Sequence, residues 1–116
     1  MTAPQPASAV PEIDVAGALE LVAAGALLLD VREQNEWDAG HAPMARHRPL
    51  AGVSAQIFVP GVRVVVVCRS GRRSASAVAQ LRSLGIDALN LTGGMQAWNA
   101  AGASLVSASS AVPSIV

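Results

Sequence analysis

The sequence predicts an α/β fold, a doubly wound central parallel sheet of about five strands with helices on both faces. Two patterns carry this prediction. Short apolar runs, such as Gly25 to Leu29 and Val64 to Cys68, are uninterrupted instead of alternating, as strands buried on both faces require. Between them lie segments with apolar residues at helical spacing, closed by glycines. Right-handed crossovers then place every strand-to-helix loop on one edge of the sheet, where ligands bind in such folds. With 116 residues the chain can bury one core and hardly two.

The elements follow in order. Residues 1–11 mix prolines and serines with alanines, carry little that packs, and read as a disordered leader; a basic start and an apolar signal segment are both missing from the first ten residues. The domain is expected over residues 12–105. Asp14 is placed to cap a helix from Val15 to near Ala24, in which Leu19, Val22 and Ala23 recur at helical spacing and which Gly25 stops. After the strand at Ala26 to Val31, the charges around Trp37 suggest a loop with one short helical turn, and Gly40 and Pro43 mark irregular backbone. Arg46 to Leu50 reads as a short strand, and Val53 to Phe58 as a helix-like patch closed by Pro60 and Gly61. Val62 to Val67 is the strongest strand signal. Ala77, Val78, Leu81 and Leu84 then share one helical face that ends at Gly85. A last strand at Ala88 to Leu91 leads through Gly93 and Gly94 into a helix around Met95 to Ala101, and residues 106–116 read as a flexible C-terminal tail.

Charge and composition exclude several classes. Eight arginines balance eight acidic residues and there is no lysine, so nothing suggests a nucleic-acid or membrane partner. The longest apolar runs are far too short to cross a bilayer, and the lack of a secretory signal pattern in MTAPQPASAV points to the cytoplasm. One cysteine cannot form an internal disulfide, and with only His41 and His47 beside it neither a metal site nor a cofactor is expected.

That single cysteine is where the chemistry gathers. In Cys68-Arg69-Ser70-Gly71-Arg72-Arg73-Ser74 the thiol ends the strongest strand and a helix pattern follows. Gly71 permits backbone conformations closed to other residues, so successive N–H groups can form an anion cradle. A helix amino terminus and three arginines make the site positive, which favours a thiolate and a second anion beside it. No histidine or carboxylate lies within the loop. Activation by a lowered pKa, without an adjacent base, suits chemistry on soft atoms such as sulfur.

Three segments, LLLDVREQNEWDAGHAP, CRSGRRS and LTGGMQAWNAAG, together resemble a single-domain rhodanese, in the order that family shows, over about residues 12 to 105. The resemblance implies a sulfurtransferase in which Cys68 carries sulfur as a persulfide. Thiosulfate or a similar anionic donor would load it, and a thiol, cyanide or a protein sulfur acceptor would unload it. Arg69, Ser70, Gly71, Arg72, Arg73 and Ser74 would form the active-site loop. Asp30 and Arg32 are expected to be a buried structural pair, Glu36 and Trp37 to give packing and a local ion pair, and His41 a structural hydrogen bond. His47 is placed at the surface and Trp98 in the core. A lone thiol fits this chemistry, since no second cysteine can resolve the persulfide as a disulfide.

The chain departs from the family pattern at Met44, where glycine is usual and would allow positive φ. Two other readings compete. A cysteine phosphatase or arsenate reductase uses a loop with its arginine one residue further from the cysteine and commonly a histidine before it, whereas Val67 precedes Cys68 here. A regulatory or sulfur-carrier module serving a protein partner would keep the same fold.

Overall fold

The computed structural model describes residues 10–109 and 111–116. The predicted leader therefore lies, over residues 1–9, outside the described residues. Five strands, β1 (Glu12–Ile13), β2 (Leu27–Asp30), β3 (Arg46–His47), β4 (Val64–Val67) and β5 (Ala88–Leu91), form one sheet in the order β1-β5-β4-β2-β3. Every pairing is parallel. Helices α1 (Val15–Ala23), α2 (Gln34–Ala39), α3 (Arg72–Ser83) and α4 (Gly94–Ala100) connect them.

The continuous apolar strands bury both faces, one on each helical layer. Leu29, Val64, Val66 and Ala88 pack with Ala77, Val78 and Leu81 of α3. Their neighbours Leu28, Val65, Val67 and Leu91 pack with Ala18 of α1 and with Met95 and Trp98 of α4. Period-two alternation along each strand thus feeds two cores. From β2 the chain turns outward to β3, and from β4 it turns the other way to β5. The carboxyl ends of β2 and β4 therefore flank a topological switch point, where such sheets leave a crevice.

Local chemistry explains the helix boundaries. The Asp14 side chain accepts from Gly17 N at 2.8 Å and caps α1, and Gly25 at φ 110° follows its end. The face of α1 turned to the sheet is Val15, Ala18, Leu21 and Val22, not Leu19 and Ala23 as the sequence suggested; Leu19 remains 40% exposed. Glu33 and Glu36 form a capping box that starts α2.

Three further features differ from the sequence reading. β1 went unpredicted because two residues carry no periodicity, and it exists only through pairing with β5. The helix-like patch at Val53 to Phe58 instead holds one 3-10 turn, Ala55–Ile57, which follows another at Leu50–Gly52; both are too short for an α-helical ladder and lie between Pro49 and Pro60. Met44 needs no left-handed backbone: no non-glycine residue among those described has positive φ, and Ala45 N closes a turn on Ala42 O at 3.1 Å with Pro43 favouring its second position.

The segment read as a flexible tail runs back along α2. Val106 and His41 exchange backbone hydrogen bonds of 2.9 and 2.8 Å, and Ala108 N and Ser114 N donate to Asp38 O and Ala39 O. A Cβ on Gly40 would collide with the Ser114 backbone, so glycine is required where the tail crosses. Trp98 is fully buried and its indole N–H donates to Ser104 O at 2.9 Å, fixing the start of this segment on the α4 core. No described helix is long and apolar enough to cross a membrane.

Candidate active site

Four apolar valines drive β4 through the sheet centre and deliver Cys68 to the switch point, where the residue is only 1% exposed. The chain then turns within three residues, which Gly71 makes possible at φ 105°, and α3 begins at Arg72. Donors to the sulfur come from this turn and from the first turn of α3. Gly71 N donates to Cys68 Sγ at 3.1 Å, and the Ser74 hydroxyl lies 3.2 Å from it.

Neighbouring elements hold the turn from outside. The loop carbonyls of Cys68 and Arg69 accept from Met95 N at 2.8 Å and Gln96 N at 3.0 Å, the free N–H groups at the start of α4. Drawing those carbonyls outward leaves the loop N–H groups for the sulfur. Gly94, at φ 59°, permits this approach; a Cβ there would come within 2.6 Å of Arg69 O and closer still to Cys68 O. On the other side, buried Asn90 of β5 donates from Nδ2 to Gly71 O at 3.0 Å and accepts from Ser74 Oγ at 2.6 Å.

Burial pushes the Cys68 thiol up, but hydrogen bonds from the Ser74 hydroxyl and from the N–H groups of Ser74, Gly71 and Ser70 outweigh it and leave the thiol below its ordinary pKa. Directed donors, ahead of arginine charge, are the cause. This sharpens the sequence reading, in which the arginines shared that role.

The three arginines have separate fates. Arg73 is held bidentately by Glu36 at 2.7 and 2.8 Å, so its guanidinium braces the loop against α2. The Arg73 hydrogen bonds keep the Glu36 carboxyl down at about 2, and Glu36 in turn raises Arg73 above its usual range. Glu36 and Arg73 are 37 residues apart, so this ion pair is not the local one expected. Arg72 is exposed with no carboxylate within salt-bridge reach among the described residues. Arg69 is exposed as well, its Nε donating to Val116 O at 3.1 Å.

Asp30 and Arg32, both 0% exposed, form a fully hydrogen-bonded pair at the end of β2. Arg32 Nη2 reaches Asp30 Oδ2 and Gly40 O, each at 2.7 Å, so the guanidinium ties the strand end to the backbone beyond α2. His41 Nδ1 lies 2.7 Å from Trp37 O, and its ring stacks on Trp37. His47, read from the sequence as a surface residue, is partly buried: it also stacks on Trp37, and its Nε2 lies 2.7 Å from Arg32 O. Neither histidine hydrogen-bonds the thiol.

Among the described residues no group of three or more His, Cys, Asp or Glu gathers to hold a metal ion. A cavity of about 660 Å³ lies away from the thiol beside the 3-10 turn at Ala55–Ile57, lined by Leu29, Trp37, His47 and Phe58 among others and by no residue of the cysteine loop. It lies beside β2 and β3, closed on one side by Ile57, Phe58 and Val59. A nucleophile and its donors converge instead at the cysteine loop.

Comparison with known proteins agrees with this geometry. The family described as rhodanese-like domain matches residues 14–101. The adenylyltransferase and sulfurtransferase UBA4 of Yarrowia lipolytica is 35% identical over 83 residues, covering 68% of this chain and 21% of that protein. The thiosulfate sulfurtransferase GlpE of Pseudomonas putida is 37% identical over 81 residues, covering 66% of this chain and 72% of that protein. Two further curated relatives are matched over 52% of their length, so the chain spans a fifth to a half of several of its relatives. The crystal structure of a rhodanese-related protein from Thermoplasma volcanium superposes with a TM-score of 0.77 at 31% identity, covering 83% of this chain and 97% of that one. With the motif order, the all-parallel sheet and the cysteine loop in agreement, this chain belongs to the rhodanese-like domain family.

Proposed function

We propose that this chain is a sulfurtransferase that carries a sulfane sulfur on Cys68. The Cys68 thiolate attacks the outer sulfur of thiosulfate or a similar anionic donor. A new S–S bond forms, the donor's own S–S bond breaks, and sulfite leaves with the electron pair. A thiophilic acceptor, cyanide or a thiol, then takes the outer sulfur and Cys68 departs as thiolate. The observation that carries this reading is the buried Cys68 sulfur with donors at 3.1 and 3.2 Å and no base in contact. Such a site lowers the thiol pKa and stabilises the leaving thiolate without needing proton transfer. Arg69 and Arg72, on the exposed rim of the loop, meet the anionic donor, while Arg73 serves as a brace.

A second role on the same chemistry has one supporting observation. The chain matches about a fifth of a longer protein whose name joins adenylyltransferase and sulfurtransferase activities. A module of this kind would hand its sulfur to a dedicated protein acceptor. Thiocyanate formation from thiosulfate and cyanide, with ping-pong kinetics, tests the enzyme reading. Cys68-dependent hydrolysis of an aryl phosphate with no thiocyanate would replace it by the phosphatase reading; sulfur uptake with negligible thiocyanate turnover would favour the module.

A further inference from the structure

Asn90 is a buried polar residue in an apolar strand, 2% exposed, and the chemistry just proposed does not employ it. Its amide orientation follows from its partners. Gly71 O can only accept, so Nδ2 faces it and Oδ1 faces Ser74. The Ser74 hydroxyl carries one proton and stands between two acceptors, Asn90 Oδ1 at 2.6 Å and Cys68 Sγ at 3.2 Å.

We propose that Asn90 is a positioning residue that acts through Ser74: it takes the Ser74 hydroxyl proton whenever Cys68 Sγ is uncharged and yields it whenever Sγ is a thiolate. With the thiol protonated, S–H donates to Ser74 Oγ and Ser74 donates to Asn90, so every group is satisfied. With the thiolate, the hydroxyl turns to the sulfur and Asn90 Oδ1 is left without it. Resting on the sulfur-transfer reading, the same exchange accompanies turnover. In the persulfide the charge sits on the outer sulfur, Sγ is a poor acceptor, and the hydroxyl returns to Asn90. When the acceptor removes the outer sulfur, the bonding pair stays on Sγ and the hydroxyl swings back to it. Asn90 thus keeps the donor occupied in the loaded state and releases it to the departing thiolate. Its Nδ2 bond to Gly71 O holds the loop in register for both states.

A double-mutant cycle on the free thiol isolates this exchange from simple loop support. The charged groups near the sulfur are Arg69 and Arg72 on the rim, Arg73 with Glu36, and Asp30 with Arg32 at the end of β2, and none of them is altered by the cycle. The thiolate of the lone cysteine is followed by its ultraviolet absorbance across a pH titration, with circular dichroism as the check on folding. Ser74→Ala lowers the thiolate-to-thiol ratio at a fixed pH below the midpoint. In that background Asn90→Leu reports only loosening of the loop through Gly71. With Ser74 present, Asn90→Leu gives a ratio higher by about threefold to tenfold than that loosening alone allows, the worth of one net hydrogen bond. An equal effect of Asn90→Leu in both backgrounds overturns the proposal and makes Asn90 a scaffold only. Should the leucine variant not fold, Asn90→Ala takes its place. The wild-type protein gives an independent readout: the Asn90 side-chain carbonyl carbon resonance moves with the Cys68 midpoint, and a flat resonance overturns the proposal. No sulfur donor is used, so a protein that fails to accept sulfur from thiosulfate still answers the question about Asn90.

Discussion

Replacing Glu36 by glutamine removes one negative charge and one acceptor, because an amide NH2 in place of Oε2 cannot accept from Arg73 Nη2. Glutamine can still accept from Arg73 and from Glu33 N, so the capping box and the contact survive while the ion pair does not. The magnitude follows from the carboxyl, which falls from 4.5 to about 2 because Arg73 donates to both of its oxygens. Unscreened, that would correspond to about 3 kcal/mol of stability. Glu36 is 12% exposed but Arg73 is 38% exposed, so solvent screening reduces it to about 1–2 kcal/mol. A folded-state pKa below the unfolded one stabilises fully above the unfolded value and loses its effect as pH falls through the folded one. Urea unfolding of wild type and Glu36→Gln should therefore differ by about 1–2 kcal/mol at neutral pH, and the two curves should converge as pH falls from 4.5 towards 2. A gap that persists unchanged at the acid end, or no gap at neutral pH, would refute the brace.

The remaining predictions concern the strand end, the glycine contact and the thiol. Arg32→Ala leaves the buried Asp30 carboxylate and the Gly40 carbonyl without their partner and should cost about 3–5 kcal/mol in urea unfolding. Gly94→Ala drives a Cβ into the loop carbonyls and should slow iodoacetamide alkylation of Cys68 as well as destabilise. Gly85→Ala, with φ 86° and nothing within 4 Å, should cost about 1 kcal/mol and leave alkylation unchanged. Native protein should alkylate with a midpoint below that of the same chain in urea. Because the folded thiol pKa is the lower one, stability should rise with pH between the two midpoints; coincident midpoints would show that the loop donors do not act on the thiol.

Much of the fold was legible because its central strand β4 is apolar without interruption and its neighbours nearly so. Four consecutive valines at Val64 to Val67 admit little but a strand buried on both faces, and the spacing of Ala77, Val78 and Leu81 fixes the face of α3 that covers it. What escaped depends on pairing across the chain. β1 is two residues given strand geometry by β5, and the tail is held mainly by backbone hydrogen bonds that Ser- and Ala-rich composition does not disclose. The gap beside β3 lies where the segment between Pro49 and Pro60, apolar but interrupted by Gly52, folds only into 3-10 turns.

The site was legible to a similar depth. Cys68, Gly71 and the arginines stand together in sequence, and their loop geometry follows from a strand running into a glycine and a helix. The roles of the arginines did not follow, since the partner of Arg73 lies 37 residues away on α2. Asn90 carried a signal that could have been used: an amide inside the run Ala88 to Leu91 must find hydrogen bonds when buried, and it finds them at Gly71 O and the Ser74 hydroxyl.

Intact-mass measurement after incubation with thiosulfate tests the central claim most directly. The wild-type chain should gain the mass of one sulfur atom, cyanide should remove it, and Cys68→Ala should gain nothing. A wild-type mass unchanged by thiosulfate, or sulfur that remains in the Cys68→Ala chain, would contradict a Cys68 persulfide.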